Sequence, residues 1–115
     1  MHELGIIQSI AKTVKQTAAE NGAEKVASVT LEIGEVSGIV PNLLTDCWEY
    51  FREKDVMLSG AALKLISTPA VTWCDDCGQT YETVVYGRTC PHCGSGRTWL
   101  LTGRECQIKE IEVYE

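Results

Sequence analysis

The alternation of apolar and polar residues changes period several times along these 115 residues. Leu4, Ile7, Ala11, Val14 and Ala18 recur at helical spacing, and Ile6 and Ile10 widen the stripe. Positions three and four apart share one face of a helix, so the pattern predicts an amphipathic helix from almost residue 1 to about residue 20. Asn21-Gly22 then supplies a stop. From Val26 the period falls to two, with Val29, Leu31 and Ile33 alternating with Ser28, Thr30 and Glu32. That predicts a half-buried strand. Gly34 to Gly38 reads as a loop. Pro41 suits the first turn of a second helix, which lacks a use for that N–H. Its expected apolar face is Leu43, Leu44, Cys47, Trp48 and Phe51, and its expected end lies near Lys54. Leu63 and Leu65 on either side of Lys64 predict a second strand, closed by Thr68-Pro69.

Residues 71–105 differ in character, holding four of the six cysteines and two of the three tryptophans. The cysteines read Cys74-Asp75-Asp76-Cys77, twelve residues, then Cys90-Pro91-His92-Cys93. Two CxxC pairs at this separation can close a tetrahedral thiolate shell around one metal ion. A glycine follows each pair (Gly78, Gly94), and without a Cβ it lets backbone amides turn toward the sulfurs. Zinc is the default ion for a closed four-cysteine site, and iron in a rubredoxin-like site is the competitor. A pair of thioredoxin-like redox motifs fits poorly, because neither CxxC sits between a strand and a helix. Short strands are expected around 79–85 and 98–101. Trp73 and Trp99 are expected to pack against the module and shield the sulfurs, and His92 to face solvent. Cys47 and Cys106 read as small buried hydrophobes.

Ile108, Ile111 and Val113 make the tail strand-like again, and a lone terminal strand needs a sheet to join. The strands at 28–33 and 62–66 are the expected host. The predicted fold class is therefore α+β. A small α/β domain of two helices on a three-stranded mixed sheet, residues 1–69 plus 106–115, carries an inserted zinc-ribbon-like module at 70–105.

Charge narrows the function. The chain carries −6 overall, divided as −3 over residues 1–70, −1 over 71–105 and −2 over 106–115. Nucleic-acid ribbons present a basic face to phosphates. Here only Arg88, Arg97 and Arg104 stand against Asp75, Asp76, Glu82 and Glu105. No stretch approaches the ~20 apolar residues that span a bilayer. The N-terminus lacks the basic-then-apolar pattern of an export signal, so the expected start is Met1 and the expected compartment a reducing cytoplasm. Neither a serine–histidine–aspartate set nor a phosphate-cradling glycine loop nor a carboxylate pair placed for acid–base work is evident, so no enzyme is predicted. Glu35, Glu49 and Glu53 read as solvated charges, and the acidic surface could guide a basic partner.

Met1-His2-Glu3 places an α-amine, an imidazole and a carboxylate on consecutive residues. The amine, the His2 amide nitrogen and the His2 ring nitrogen can close fused chelate rings on one ion, and Glu3 can add its carboxylate oxygen or its amide nitrogen. Nitrogen-rich planar shells favour nickel(II) or copper(II) over zinc. In isolation the same three residues read first as an ordinary solvated N-terminus, with Glu3 near the positive end of a helix dipole.

Met1-His2-Glu3-Leu4 with Ile6, Leu31-Glu32-Ile33-Gly34, the two CxxC pairs and Ile111-Glu112-Val113 together resemble the HypA family of nickel metallochaperones in order and spacing, over essentially the whole chain. The resemblance implies an α/β nickel-binding domain with Ni(II) as transient cargo at Met1, His2 and Glu3, and structural Zn(II) at Cys74, Cys77, Cys90 and Cys93. It implies delivery of nickel for maturation of [NiFe]-hydrogenase. The implied partners are the nickel-insertion GTPase of that pathway and the hydrogenase large subunit. A homodimer is compatible with this reading, and neither nucleic acid nor membrane is among the partners. The chain has Gly5 where members often have serine, and Val40 near the place where some carry an acidic side chain. A zinc-ribbon module acting on nucleic acid or on a transcription or translation complex is the alternative, and a rubredoxin-like electron carrier a third.

Overall fold

A computed structural model describes residues 2–114. The chain divides into two compact units, residues 1–32 with 39–66 and 107–115, and residues 33–38 with 67–106. The first holds helix α1 (Glu3–Glu20), most of strand β1 (Val26–Gly34), helix α2 (Pro41–Glu53), most of β2 (Ala62–Thr68) and most of β6 (Cys106–Val113). Its three strands form one sheet in the order β2-β1-β6, so the C-terminal strand joins the sheet expected to host it.

Helix α1 packs against α2. Ile7, Ile10, Ala11, Val14 and Ala18 are buried, as the stripe requires, but Leu4 is half exposed and Glu3 takes the inward position in the first turn. Positions 3, 7, 10 and 14 continue the same face, so the acid occupies a core position that its polarity hides in the sequence. On α2, Leu44 and Trp48 are buried and Leu43 is not. The buried face is narrower than the apolar one. Trp48 donates its indole N–H to the Ala61 carbonyl at 2.9 Å, which satisfies its polar handle inside the core. Each fully buried aliphatic side chain of this set contributes about 1.5–3 kcal/mol.

Strand β1 is more deeply buried than a two-sided alternation implies. Ser28 and Thr30 are buried along with Val29 and Leu31. The reason is its central place in the sheet. Lys64 of β2 reaches Glu112 of β6 at 3.1 Å, and that carboxylate also accepts the Ser28 hydroxyl, so long side chains from both neighbours cover the polar face.

In the second unit β3 (Val71–Cys74) lies between β4 (Thr80–Glu82) and β5 (Thr98–Thr102), antiparallel to both. The strand expected over 79–85 stops at Glu82, and residues Thr83–Tyr86 form one helical turn, α3. Its valines look like strand residues yet lie 61 % and 62 % exposed. β-branched side chains favour strands through packing on a sheet surface, and none covers these two. Gly87, at φ +64°, ends the turn with its N–H on the Thr83 carbonyl at 2.7 Å.

The last two residues of β1 and the four that follow belong to this second unit. Gly34 N–H donates to Glu105 O (2.7 Å), Glu35 N–H to Thr68 O (2.8 Å) and Val36 N–H to Gly103 O (2.8 Å). The Glu35 carboxylate accepts from Ala70 N–H at 2.9 Å, so it is a structural acceptor rather than the solvated charge expected. Any Cβ at Gly34 would lie 2.0 Å from Gly103 O, and one at Gly103 would lie 2.6 Å from Ala70. Glycine is required at both crossings.

Candidate metal centres

The first CxxC pair leaves the end of β3 and the second follows α3, each in a tight knuckle. Gly78 N–H donates to Cys74 O (2.9 Å) and Gly94 N–H to Cys90 O (2.8 Å). Both glycines have positive φ, +69° and +77°, a conformation that side-chain-bearing residues avoid. Cys74 N–H is held by Gln79 O and Cys90 N–H by Ser95 O. His92 N–H points at Cys90 Sγ at 3.4 Å.

The four cysteine sulfurs all lie within 4.8 Å of one another, with Cys74–Cys93 at 3.5 Å and Cys77–Cys90 at 3.6 Å. Disulfide sulfurs stand about 2.05 Å apart. Sulfurs at the corners of a tetrahedron around zinc, with bonds of about 2.3 Å, stand about 3.8 Å apart. The cluster fits a zinc ion. Cys74 and Cys90 are buried, Cys77 is half-buried and Cys93 exposed. Packing with Tyr81, which donates its hydroxyl to Gly87 O at 2.9 Å, keeps one side dry.

Four thiols this close cannot all ionise alone. The Cys77 amide hydrogen bond brings Cys74 down to about 7. At Cys93 the Ser95 amide pulls the same way, but the Cys74 thiolate, desolvation and the other two sulfurs outweigh it and push the thiol up to about 12. Desolvation raises Cys77 as well. A dication supplies the missing charge. Arg97 completes the frame by pairing with Asp75 (3.0 Å) and Asp76 (3.1 Å), which ties the second knuckle's exit to the first knuckle.

Several expected neighbours stand elsewhere. Trp99 pairs with Trp73 across β3–β5 but is 51 % exposed, so it does not seal the sulfurs. Alternation along β3 puts both tryptophans on the face opposite Thr72 and Leu100, but the Trp73 ring lies against the first knuckle as expected, 3.7 Å from where a Cβ on Gly78 would stand. The His92 residue is exposed, as expected. Cys106 is exposed at the start of β6 and Cys47 is half-buried on α2, so neither is the buried hydrophobe that was expected. Neither belongs to the cluster.

The other candidate set begins at Met1, which lies outside the described residues. His2 is exposed at the N-cap of α1 and its carbonyl accepts from Ile6 N–H at 3.1 Å. Glu3 is buried, and its carboxylate accepts from Val40 N–H at 3.0 Å. That hydrogen bond is the main reason its carboxyl titrates below the usual range. Val40 is the N-cap of α2 and has no side-chain cap of its own, so an acid 37 residues away caps the second helix. Position 40, where the resemblance places acids in some members, thus stands directly against Glu3. Only the contact could reveal this, since nothing in the local sequence of α2 asks for a remote cap.

A closed four-thiolate site in one unit, and in the other a first helix that starts at a histidine and a buried acid, define a small metal-handling protein with one fixed ion site. Comparisons specify what it handles. A family model described as "Hydrogenase/urease nickel incorporation, metallochaperone, hypA" matches residues 1–113. The hydrogenase maturation factor HypA of Geobacter metallireducens is 36% identical over 113 residues, covering 98% of this chain and 99% of its own. HybF of Klebsiella pneumoniae is 31% identical over 112 residues, covering 97% and 98%. The solution structure of the nickel metallochaperone HypA from Helicobacter pylori aligns with TM-score 0.74 at 25% identity, covering 98% of this chain and 97% of that one. A second HypA solution structure aligns at 0.77 and 27% identity, covering 99% and 97%.

The chain belongs to the HypA family. It is a nickel metallochaperone of hydrogenase maturation, and the alternative of a nucleic-acid-binding ribbon gains no support. No helix among the described residues is long and apolar enough to cross a membrane.

Proposed function

We propose that this protein takes up Ni(II) at its N-terminus through the Met1 amine, His2 and the Glu3 main chain, and hands it to the hydrogenase large subunit with a GTPase of the same pathway. The residues 1–69 plus 106–115 are the nickel-binding domain, and 70–105 the zinc module, with Cys74, Cys77, Cys90 and Cys93 as zinc ligands. The protein works in the cytoplasm as a carrier and not as a catalyst. The observation that carries this reading is the division of labour at the first turn of α1. The Glu3 carboxylate is committed to Val40 N–H while the His2 ring stands exposed. A ligand at an exposed chain end can open without disturbing a core, which a delivery site needs. Nitrogen donors of this kind favour nickel over zinc. The closed thiolate site favours zinc and keeps it, so one ion stays while the other moves. Binding must release protons from the amine and the imidazole, so acid opposes loading.

Calorimetric titration of zinc-loaded protein with Ni(II) tests this. His2→Ala should abolish specific nickel binding and leave zinc content unchanged. An N-terminal extension, which turns the Met1 amine into an amide, should weaken binding at least tenfold relative to the same sample after cleavage, about 1.4 kcal/mol. Equal nickel affinity in either pair would remove these ligands from the assignment.

A further inference from the structure

The second unit has a surface that the metal chemistry does not use. A cavity of about 510 Å³ opens beside β5, and its lining includes Thr72, Thr98, Trp99, Val36 and two arginines, Arg88 and Arg104, which are its charged residues. Sixteen acids outnumber ten bases in this chain, and five of the bases, Lys15, Arg52, Lys64, Arg97 and Lys109, pair with an acid among the described residues. Arg97 takes two. Arg88 and Arg104 make no side-chain ion pair among the described residues, yet both line the same cavity.

The strand beside them carries few of the features that guard an edge. In the order β4-β3-β5, β5 has a partner on one side only. Edge strands are ordinarily blunted by a charge, a proline or a bulge that twists them away. Residues 98–102 read Thr-Trp-Leu-Leu-Thr, with no charge and no proline, and Trp99 and Leu101 are 51 % and 52 % exposed. A register shift at Leu101, where Thr72 faces Leu100 and Val71 faces Thr102, is the one such device, and it leaves the run from Thr98 to Leu100 regular. Such a strand is a template for an extended chain, whose main-chain groups supply affinity while alternate side chains enter pockets and supply specificity. The pocket here is lined by hydroxyls and two cations that have no ion-pair partner among the described residues.

We propose that β5 and this cavity form a docking site for an extended acidic segment of a partner protein, which pairs along β5 and sets carboxylates against Arg88 and Arg104. Nucleic acid is a poor occupant, because two cations in a chain of −6 cannot follow a phosphate backbone. The site is independent of the N-terminal nickel ligands, so its failure and theirs are distinguishable.

The test uses full-length zinc-loaded protein and a fluorescein-labelled hexapeptide alternating glutamate and valine, with its lysine counterpart and inorganic phosphate as controls. The glutamate peptide should bind, shift the amide signals of Arg88 and residues 98–101, and weaken with added salt. The double variant Arg88→Ala/Arg104→Ala should lower its affinity about tenfold at low salt, since two partly exposed ion pairs are lost. Arg97→Ala should leave that affinity unchanged, and so should His2→Ala. Both cavity arginines are exposed, and zinc content confirms that each variant is folded. Equal binding of the two peptides, an unchanged double variant, or displacement by millimolar phosphate would overturn the proposal. So would a dimer, seen by sedimentation without peptide, that the double variant abolishes, because the occupant would then be a second copy.

Discussion

Gly34→Ala should cost more than any exposed substitution in this chain. The added methyl would sit 2.0 Å from Gly103 O, 2.2 Å from Gly103 C and 2.6 Å from Arg104 N, all backbone atoms that cannot rotate away. Non-bonded contacts of carbon settle near 3.5 Å, so the two segments must part by about 1.5 Å. That movement breaks the hydrogen bonds from Gly34 N–H to Glu105 O and from Val36 N–H to Gly103 O. Overpacking of this kind costs about 1–3 kcal/mol, and each lost hydrogen bond about 0.5–1.5 kcal/mol. The total is roughly 4 kcal/mol, a large part of the about 5–15 kcal/mol available to a small protein. Urea unfolding of the zinc-loaded protein measures it. With a slope of about 2 kcal/mol per molar, the midpoint should fall by about 2 M. Gly22→Ala is the control, since its backbone has φ +73° but no atom lies within 4 Å of the added Cβ. It carries only the conformational cost, about 1 kcal/mol. A shift at Gly34 no larger than at Gly22 would refute the steric argument.

Gly5 is the opposite case, lying within α1 with nothing within 4 Å of an added Cβ, so Gly5→Ala should raise stability by about 0.5–1 kcal/mol in the same assay. Cys93→Ser should lower bound zinc severalfold by metal analysis, whereas Cys47→Ser, outside the cluster, should retain it fully. The Glu112 carboxyl is held below the ordinary carboxylate range, chiefly by the Ser28 hydroxyl and then by Lys64. A carboxylate more acidic in the fold than in the unfolded chain stabilises above the unfolded value, and that contribution fades as pH falls through the folded one. Glu112→Gln should therefore lower stability at neutral pH and flatten the loss below pH 4.5, read from protection of the Trp48 indole N–H.

The two long helices, the three strands of the first sheet and the four-cysteine cluster are legible in the sequence because each has a local signal: a stripe, an alternation, a cap or a spacing. What is hidden lies where a distant partner decides. Leu4 and Leu43 look like core by period, yet the inward place in the first turn of α1 is filled by Glu3, whose partner is the Val40 amide. Val84 and Val85 look like strand residues, but no sheet surface receives them. Ser28 and Thr30 look solvent-facing until strands on both sides lay long side chains across them. Glu35 gives no hint of Ala70, which lies 35 residues away.

Strand β1 leaves its sheet between the two ends of the metal-bearing insertion, with Thr68 bonded to Glu35 and Glu105 to Gly34. The entry and exit of that insertion are therefore not neighbours, since β1 separates β2 from β6. Strands are spaced about 4.8 Å apart, so the gap is about 10 Å, and a residue spans at most about 3.5 Å. A trimmed chain without residues 69–104 needs a bridge of at least two fully extended residues between Thr68 and Glu105, and more if it is to arch over the end of β1. A two-residue hairpin turn would be too short. Grafting the cysteine-bearing segment into another host faces the mirror requirement, an acceptor site whose two ends straddle a strand.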